Sequence, residues 1–312
     1  MSGQGRDSRA SGDDSRQRTA GERWADEALE QLRRDRYRPR AWATFLDQSF
    51  DRASESRTAR PALAAQADRW CAYGTAATAV TTALVARRRG SLAPVSTVAW
   101  CMSVAAMLRW HLGMFEGGCG ERHEALTAAD ALTLARLFAV PLVAASRDDR
   151  ILFEVVLAAG ACSDALDGRF ARRAGATRLG SQLDAAADMV FFGTATASAA
   201  RAGFIGPAAM QALLARHALV TAATTLHYFA LGRRPPTDGA RVTRWASPFV
   251  TGGLFLGLHG RRRAATTTVA AISVAAVAQR ISVIATRRRR DAVSAPRPAG
   301  VTVPVPVAAG TG

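Results

Sequence analysis

The 312-residue chain contains no lysine. All 41 basic residues are arginine, set against 25 acidic ones, and the formal net charge is +16. Aromatic residues make up only 7% of the chain. The arginines punctuate apolar stretches instead of lining one face with aromatics between them, which argues against a nucleic-acid partner. Cysteine is also scarce. Cys71, Cys101, Cys119 and Cys162 show no CxxC spacing, so neither a disulfide framework nor a zinc site is expected. The five histidines form no HExxH motif and no cluster with cysteine. The first 23 residues lack an apolar run, so no signal peptide is expected. There is no internal repeat and no ten-residue alternation of the kind a membrane β-barrel needs.

What the chain does have is segregation. Residues 1–69 are crowded with Arg, Asp and Glu, and the rest falls into apolar stretches separated by arginine clusters. The Ser-, Gly-, Arg- and Asp-rich residues 1–20 read as a disordered tail. Trp24, Leu29 and Leu32, then Trp42, Phe45, Leu46 and Phe50, suggest short amphipathic helices in a polar cytosolic extension. These helices either stand in the cytosol or lie on an anionic membrane surface.

A membrane span needs about 20 mostly apolar residues. Eight candidates follow: Trp70–Ala86, Ser91–Leu108 extended toward Phe115, Ala125–Ala145, Ile151–Ser163, Leu179–Ala200, Phe204–Leu231, Trp245–Leu258 and Ala264–Thr286. They are rich in Ala, Thr and Gly, residues that suit close helix–helix contact. The expected fold is an all-α polytopic membrane bundle: a six-helix core over 124–290, two extra spans over 70–115, and a disordered tail over 291–312. Loop arginines orient it. With 164–178 on the cytosolic side, twelve arginines of the six-helix core fall inside and six outside. Arg87–Arg89 then falls outside, against the rule, unless the first two segments form a re-entrant or interfacial hairpin. Arg287–Arg290 reads as a stop-transfer anchor that also attracts anionic lipid.

One segment carries chemistry: Asp164-Ala-Leu-Asp167-Gly168-Arg-Phe-Ala171-Arg172, seven residues, then Gly180-Ser-Gln-Leu-Asp184-Ala-Ala-Ala-Asp188. Asp164 and Asp167, three apart at the end of one helix, share a face; so do Asp184 and Asp188, four apart at the start of the next. A short turn makes the two helices antiparallel, and the four carboxylates converge near the membrane edge. Such a cluster is costly unless neutralised. Arg172 alone cannot balance it, whereas magnesium or manganese, as two ions that also bind phosphate oxygens, can. Gly168 leaves room for a ligand near the backbone, and Gly180 lets the helices approach.

The pattern resembles the signature of the CDP-alcohol phosphatidyltransferase family, DxxDGxxAR…GxxxDxxxD, at all eight fixed positions. Together with an arginine and alanine bias typical of a GC-rich genome, it resembles a bacterial member of actinobacterial type. The spacer after Arg172 is seven residues, where the family has eight or nine. Ala185 and Met189, following Asp184 and Asp188, also depart from many bacterial members. The resemblance implies a membrane enzyme of phospholipid synthesis with its active site on the cytosolic side of the plasma membrane. Its donor is a CDP-alcohol, usually CDP-diacylglycerol, and an acceptor alcohol displaces CMP. It implies Asp164, Asp167, Asp184 and Asp188 as Mg2+ or Mn2+ ligands, and Asp188 also as the general base. It implies Thr133, Asp164, Gly168, Ala171 and Arg172 as the CDP-alcohol cradle, Gly180 as a packing position, membrane lipid as surroundings, and permits a homodimer. The rival expectations are a decayed membrane scaffold or lipid-binding protein, and a metal-ion transporter.

Other residues stay open. Arg216, Arg241 and Arg244 read either as positive-inside loop charge or as an anion site for the acceptor. Arg136 either faces the active site or snorkels to the interface. His111, His217, His227 and His259 read as packing or interfacial residues.

Overall fold

The computed structural model describes residues 19–87, 93–117, 121–174, 177–230, 232 and 241–294. The expected tails at 1–20 and 291–312 lie almost wholly outside the described residues, as do Arg88, Arg89 and Cys119. Among the described residues the architecture is all helical. In chain order the helices are α1 (Ala20–Arg34), α2 (Pro39–Ala59), α3 (Pro61–Arg87), α4 (Ala93–His111), α5 (Ala128–Ser146), α6 (Arg150–Ala174), α7 (Arg178–Arg201), α8 (Pro207–Thr225), α9 (Arg241–Leu258) and α10 (Arg262–Ser294). A 3-10 turn, Leu112–Met114, follows α4, and a π-helical turn, Leu226–Ala230, extends α8.

Helix α5 is the hub, packed against α3, α4, α6 and α7. Its start is fixed by a capping box: Thr127 accepts from the Asp130 amide, and Asp130 accepts from the Thr127 amide at 2.8 Å. Pro141 lies within it. Proline has no N–H, so the carbonyl four residues earlier loses its helical donor. That carbonyl belongs to Leu137, and the indole Nε1 of Trp100 on α4 donates to it at 2.8 Å. Thr78 on α3 donates to the next carbonyl, that of Phe138, at 3.0 Å. The two extra N-terminal helices are thus fastened to the hub where its own ladder is broken. One core cluster, including Leu63, Cys101, Leu108, Leu134 and Leu183, joins α3, α4, α5 and α7. A second, including Phe153, Phe191, Ile205, Leu254 and Val269, joins α5 to α10.

Among the described residues two helices are long and apolar enough to cross a membrane, Ala128–Ser146 and Arg262–Thr286, and Trp245–Leu258 is a shorter apolar helix. This is fewer than the eight expected spans. The reason is compositional: α3, α7 and α8 are built on Ala and Thr, which lengthen a helix without making it strongly apolar, and α6 and α7 also carry aspartates. The bundle nevertheless exposes large apolar side chains, among them Leu84, Val95, Met102, Ile151, Phe249 and Val274. Large apolar side chains exposed on several helices suit contact with lipid. Helix α3, at 27 residues, is about 40 Å long, enough to cross a bilayer.

The polar extension folds as two helices. Helix α1 has its own capping box, with Glu22 donating its amide to the Thr19 hydroxyl. Arg36 and Tyr37 at the turn into α2 hold φ of 51° and 55°, a region non-glycine residues rarely occupy. Tyr37 then donates its hydroxyl to the Phe229 carbonyl in the π-helical turn, and Trp42 packs near the Phe229 ring. Arg60, buried between α2 and α3, donates to the Leu112 carbonyl at 2.6 Å and the Phe115 carbonyl at 3.0 Å. Asp68 accepts from Arg57 at 3.2 Å and from Arg109 at 2.7 Å. The extension is therefore tied to the ends of α4 and α8.

Candidate active site

The site forms where α6 and α7 lie side by side on α5. Both aspartate pairs sit deeper in helices than the sequence suggested. Helix α6 continues to Ala174, so Asp164 and Asp167 lie well before its end, and the expected loop at 164–178 shrinks to a short link after Ala174. Helix α7 begins at Arg178, capped by the Thr177 hydroxyl, which accepts from the Gly180 amide at 2.9 Å. Asp184 and Asp188 follow on its second and third turns.

The four carboxylates converge on one guanidinium. Arg136, in the middle of α5, donates from Nη1 to Asp164 at 3.1 Å and to Asp188, and from Nη2 to Asp184 at 2.6 Å and to Asp167. Its side chain is fully buried. Asp167 is buried, Asp164 and Asp188 are partly exposed, and Asp184 is the most exposed, at 42%. Of the two readings of Arg136, facing the site or snorkelling, the structure selects the first. The signal was present in the sequence. Arg136 is three residues after Thr133 and near the centre of its helix, whereas a snorkelling arginine belongs near a helix end.

Carboxylate oxygens of Asp164, Asp167 and Asp184 lie within 4.8 Å of one another, with Asp188 outside that group. Hard oxygen donors this close suit magnesium or manganese. One guanidinium for four carboxylates also leaves negative charge that no other cation within 4.0 Å neutralises among the described residues. The residues present therefore fit a divalent cation. Ser247 on α9 donates to the second oxygen of Asp164 at 3.3 Å, a support that the sequence did not disclose.

Beside the cluster lies a cavity of about 140 Å³ whose lining includes Asp130, Thr133, Asp167, Gly168, Thr177 and Gly180. Thr133 and Gly168, expected on the donor side, do face this cavity, and Asp167 and Asp184 join it to the carboxylate cluster. Asp164 is in the carboxylate cluster but not in the cavity wall. Ala171 and Arg172 are in the last turns of α6, and their side chains lie outside the described residues. Asp130 and Thr177 were not expected. They belong here because α5 and α7 begin side by side: the Thr177 hydroxyl donates to Asp130 at 3.4 Å. At Gly180 the two helix starts leave no room for a side chain. A Cβ there would stand 2.5 Å from the Thr177 hydroxyl and 2.7 Å from an Asp130 oxygen. An isolated bridge pairs Gly117, in the link from α4 to α5, with Thr177, so the N-terminal part of the chain also touches the cavity wall.

Arg216 lies in mid-α8 and is half-buried, so its reading as loop charge does not hold. Arg241 and Arg244 are on the first turn of α9, and their side chains lie outside the described residues.

The family model described as CDP-alcohol phosphatidyltransferase matches residues 126–286, slightly more than half of the chain. The match starts just before α5 and ends within α10, so it contains all four aspartates, Arg136 and most of the cavity. No curated protein matches the chain. No solved structure matches it either.

Proposed function

The chain belongs to the CDP-alcohol phosphatidyltransferase family, and on that premise we propose that it transfers a phosphatidyl group from CDP-diacylglycerol to an acceptor alcohol in phospholipid synthesis. The family transfers a phospho-alcohol group from a CDP-alcohol, is divalent-metal dependent, and works in membranes. The finer reading adds CDP-diacylglycerol as the donor, Mg2+ or Mn2+ as a pair of ions, and a multi-pass position in the plasma membrane with the site facing the cytosol. One observation supports it above others: the convergence of Asp164, Asp167, Asp184 and Asp188 beside a cavity lined by Thr133 and Gly168.

In this reading Asp164, Asp167 and Asp184 hold the divalent cation, with Asp188 at its edge. When bound, the cation supplies Lewis-acid stabilisation of charge on the phosphate oxygens. Thr133, Gly168, Ala171 and Arg172 seat the cytidine and its phosphates. Asp188 takes the proton of the acceptor hydroxyl on the oxygen not engaged by Arg136. The acceptor oxygen forms a bond to the lipid-side phosphorus, the bond from that phosphorus to the CMP oxygen breaks, and CMP leaves with the electron pair. A homodimer is compatible with the small-residue helices.

Purified protein with CDP-diacylglycerol, Mg2+ or Mn2+ and a panel of alcohols should release CMP only when the right acceptor is present. Asp188→Asn should lower that rate by about 10²- to 10⁴-fold and leave the melting temperature nearly unchanged. Folded protein that neither binds the nucleotide nor turns over would favour the scaffold reading. Metal flux without CMP release would favour the transporter.

A further inference from the structure

The guanidinium of Arg136 is placed as a brace. Each terminal nitrogen pairs one carboxylate from α6 with one from α7: Nη1 takes Asp164 and Asp188, and Nη2 takes Asp167 and Asp184. Helices α6 and α7 both pack extensively on α5 but touch one another little. Beyond their common packing on α5, what joins the two helices at the site is whatever stands between the four carboxylates. Four carboxylates this close repel one another, and burial strengthens the repulsion. Arginine suits such a position because its planar fork presents several fixed donors and stays charged. The fork here engages one oxygen of every carboxylate, while its Nε is buried with no hydrogen-bond partner. The side chain is thus committed to the carboxylates alone.

We infer that Arg136 is the resident counter-cation of the site: it holds α6 and α7 together in the metal-free protein and competes electrostatically with the divalent cation for the same carboxylates. This makes Arg136 a positioning residue. The inference rests on the reading of the aspartates as metal ligands but not on the reaction. It has a definite consequence. Removing the guanidinium transfers its work to the metal, so metal dependence rises at the site from which a cation has been removed.

The test is a cycle of Arg136→Gln and Arg136→Lys against the unmodified full chain in detergent. The readouts are Mn2+ binding by calorimetry or electron paramagnetic resonance, and thermal melts in chelator and in Mn2+. Arg136→Gln should bind Mn2+ at least about tenfold more tightly, because a positive charge has left the cation's surroundings. It should melt far lower than the unmodified chain in chelator and recover most of the difference in Mn2+. Arg136→Lys keeps the charge but not the fork. It should bind Mn2+ with an affinity between those of the other two proteins and gain correspondingly from Mn2+ in the melt, more than the unmodified chain does and less than Arg136→Gln. Unchanged or weaker Mn2+ binding in Arg136→Gln would overturn the inference. So would equal Mn2+-induced shifts in all three proteins. If Arg136→Gln does not fold, a shift in Arg136→Lys equal to that of the unmodified chain is the overturning result. Absence of Mn2+ binding in the unmodified chain would remove both this inference and the metal reading. Absence of CMP release with the expected Mn2+ changes would remove only the proposed reaction.

Discussion

Gly180→Ala tests whether the meeting of α5 and α7 is as rigid as the structure makes it. The new Cβ would stand 2.5 Å from the Thr177 hydroxyl and 2.7 Å from an Asp130 oxygen, where ordinary contact begins at 3.4 Å. Neither oxygen can easily give way. The Thr177 hydroxyl caps α7 through the Gly180 amide, and Asp130 is buried and caps α5 through Thr127. Overpacking of this kind costs about 1–3 kcal/mol. Loss of the Thr177 cap adds about 1 kcal/mol. Replacing a helical glycine by alanine returns about 0.5–1 kcal/mol. The net expectation is a loss of about 2 kcal/mol, seen as a fall in melting temperature of about 5 °C. Gly193 provides the control, because it lies on the same helix and an added Cβ there meets nothing within 4 Å. Gly193→Ala should therefore be neutral or stabilise by up to about 1 kcal/mol. Because Gly180 lines the cavity, Gly180→Ala should also raise KM for the CDP-alcohol more than it lowers kcat. Equal melting behaviour of the two variants would refute the reasoning, since propensity alone would then account for both.

Two further perturbations probe how the N-terminal helices are attached. Trp100→Phe keeps an aromatic ring, though a smaller one, but leaves the Leu137 carbonyl, already deprived of a helical donor by Pro141, without its 2.8 Å partner. Thermal melts should show a loss of about 1–3 kcal/mol, and no loss would mean that water or another donor serves that carbonyl. Arg60→Met strips donors from two carbonyls at once, those of Leu112 and Phe115. It should cost about 2–3 kcal/mol and increase protease cleavage of the link from α4 to α5. Unchanged cleavage would show that the link is held by other contacts.

The helical class and the two aspartate pairs were legible because they depend on local rules. Runs of Ala, Leu and Val punctuated by arginine specify helices, and spacings of three and four place residues on one face. Span number was not legible in the same way. A window of Ala and Thr long enough to be a helix is too weakly apolar to be a clear span, and among the described residues only α5 and α10 are both long and apolar enough. The link between the aspartate pairs was misjudged because its arginines looked like loop charge, yet Arg169 and Arg173 are helical and α6 persists to Ala174. Polarity on a helix that leaves the membrane does not break the helix.

Arg136 shows where single-sequence reasoning stops. Its position relative to Thr133 fixed the face it shares on α5, but the positions of the carboxylates on that face depend on how α6 and α7 cross α5, which is a tertiary fact. By sequence alone, compensation for the four negative charges falls to Arg172 in part and otherwise to metal. The structure divides it between a fixed internal cation and whatever binds the exposed side. Asp167 is the most buried of the four and Asp184 the most exposed, although both meet Nη2 of Arg136 and both line the cavity. A site arranged in this way can remain folded without metal and still have negative charge to offer it. That gradient connects the stability of the bundle to its chemistry: the residue that holds the helices together before a cation arrives also limits how strongly the cation is held.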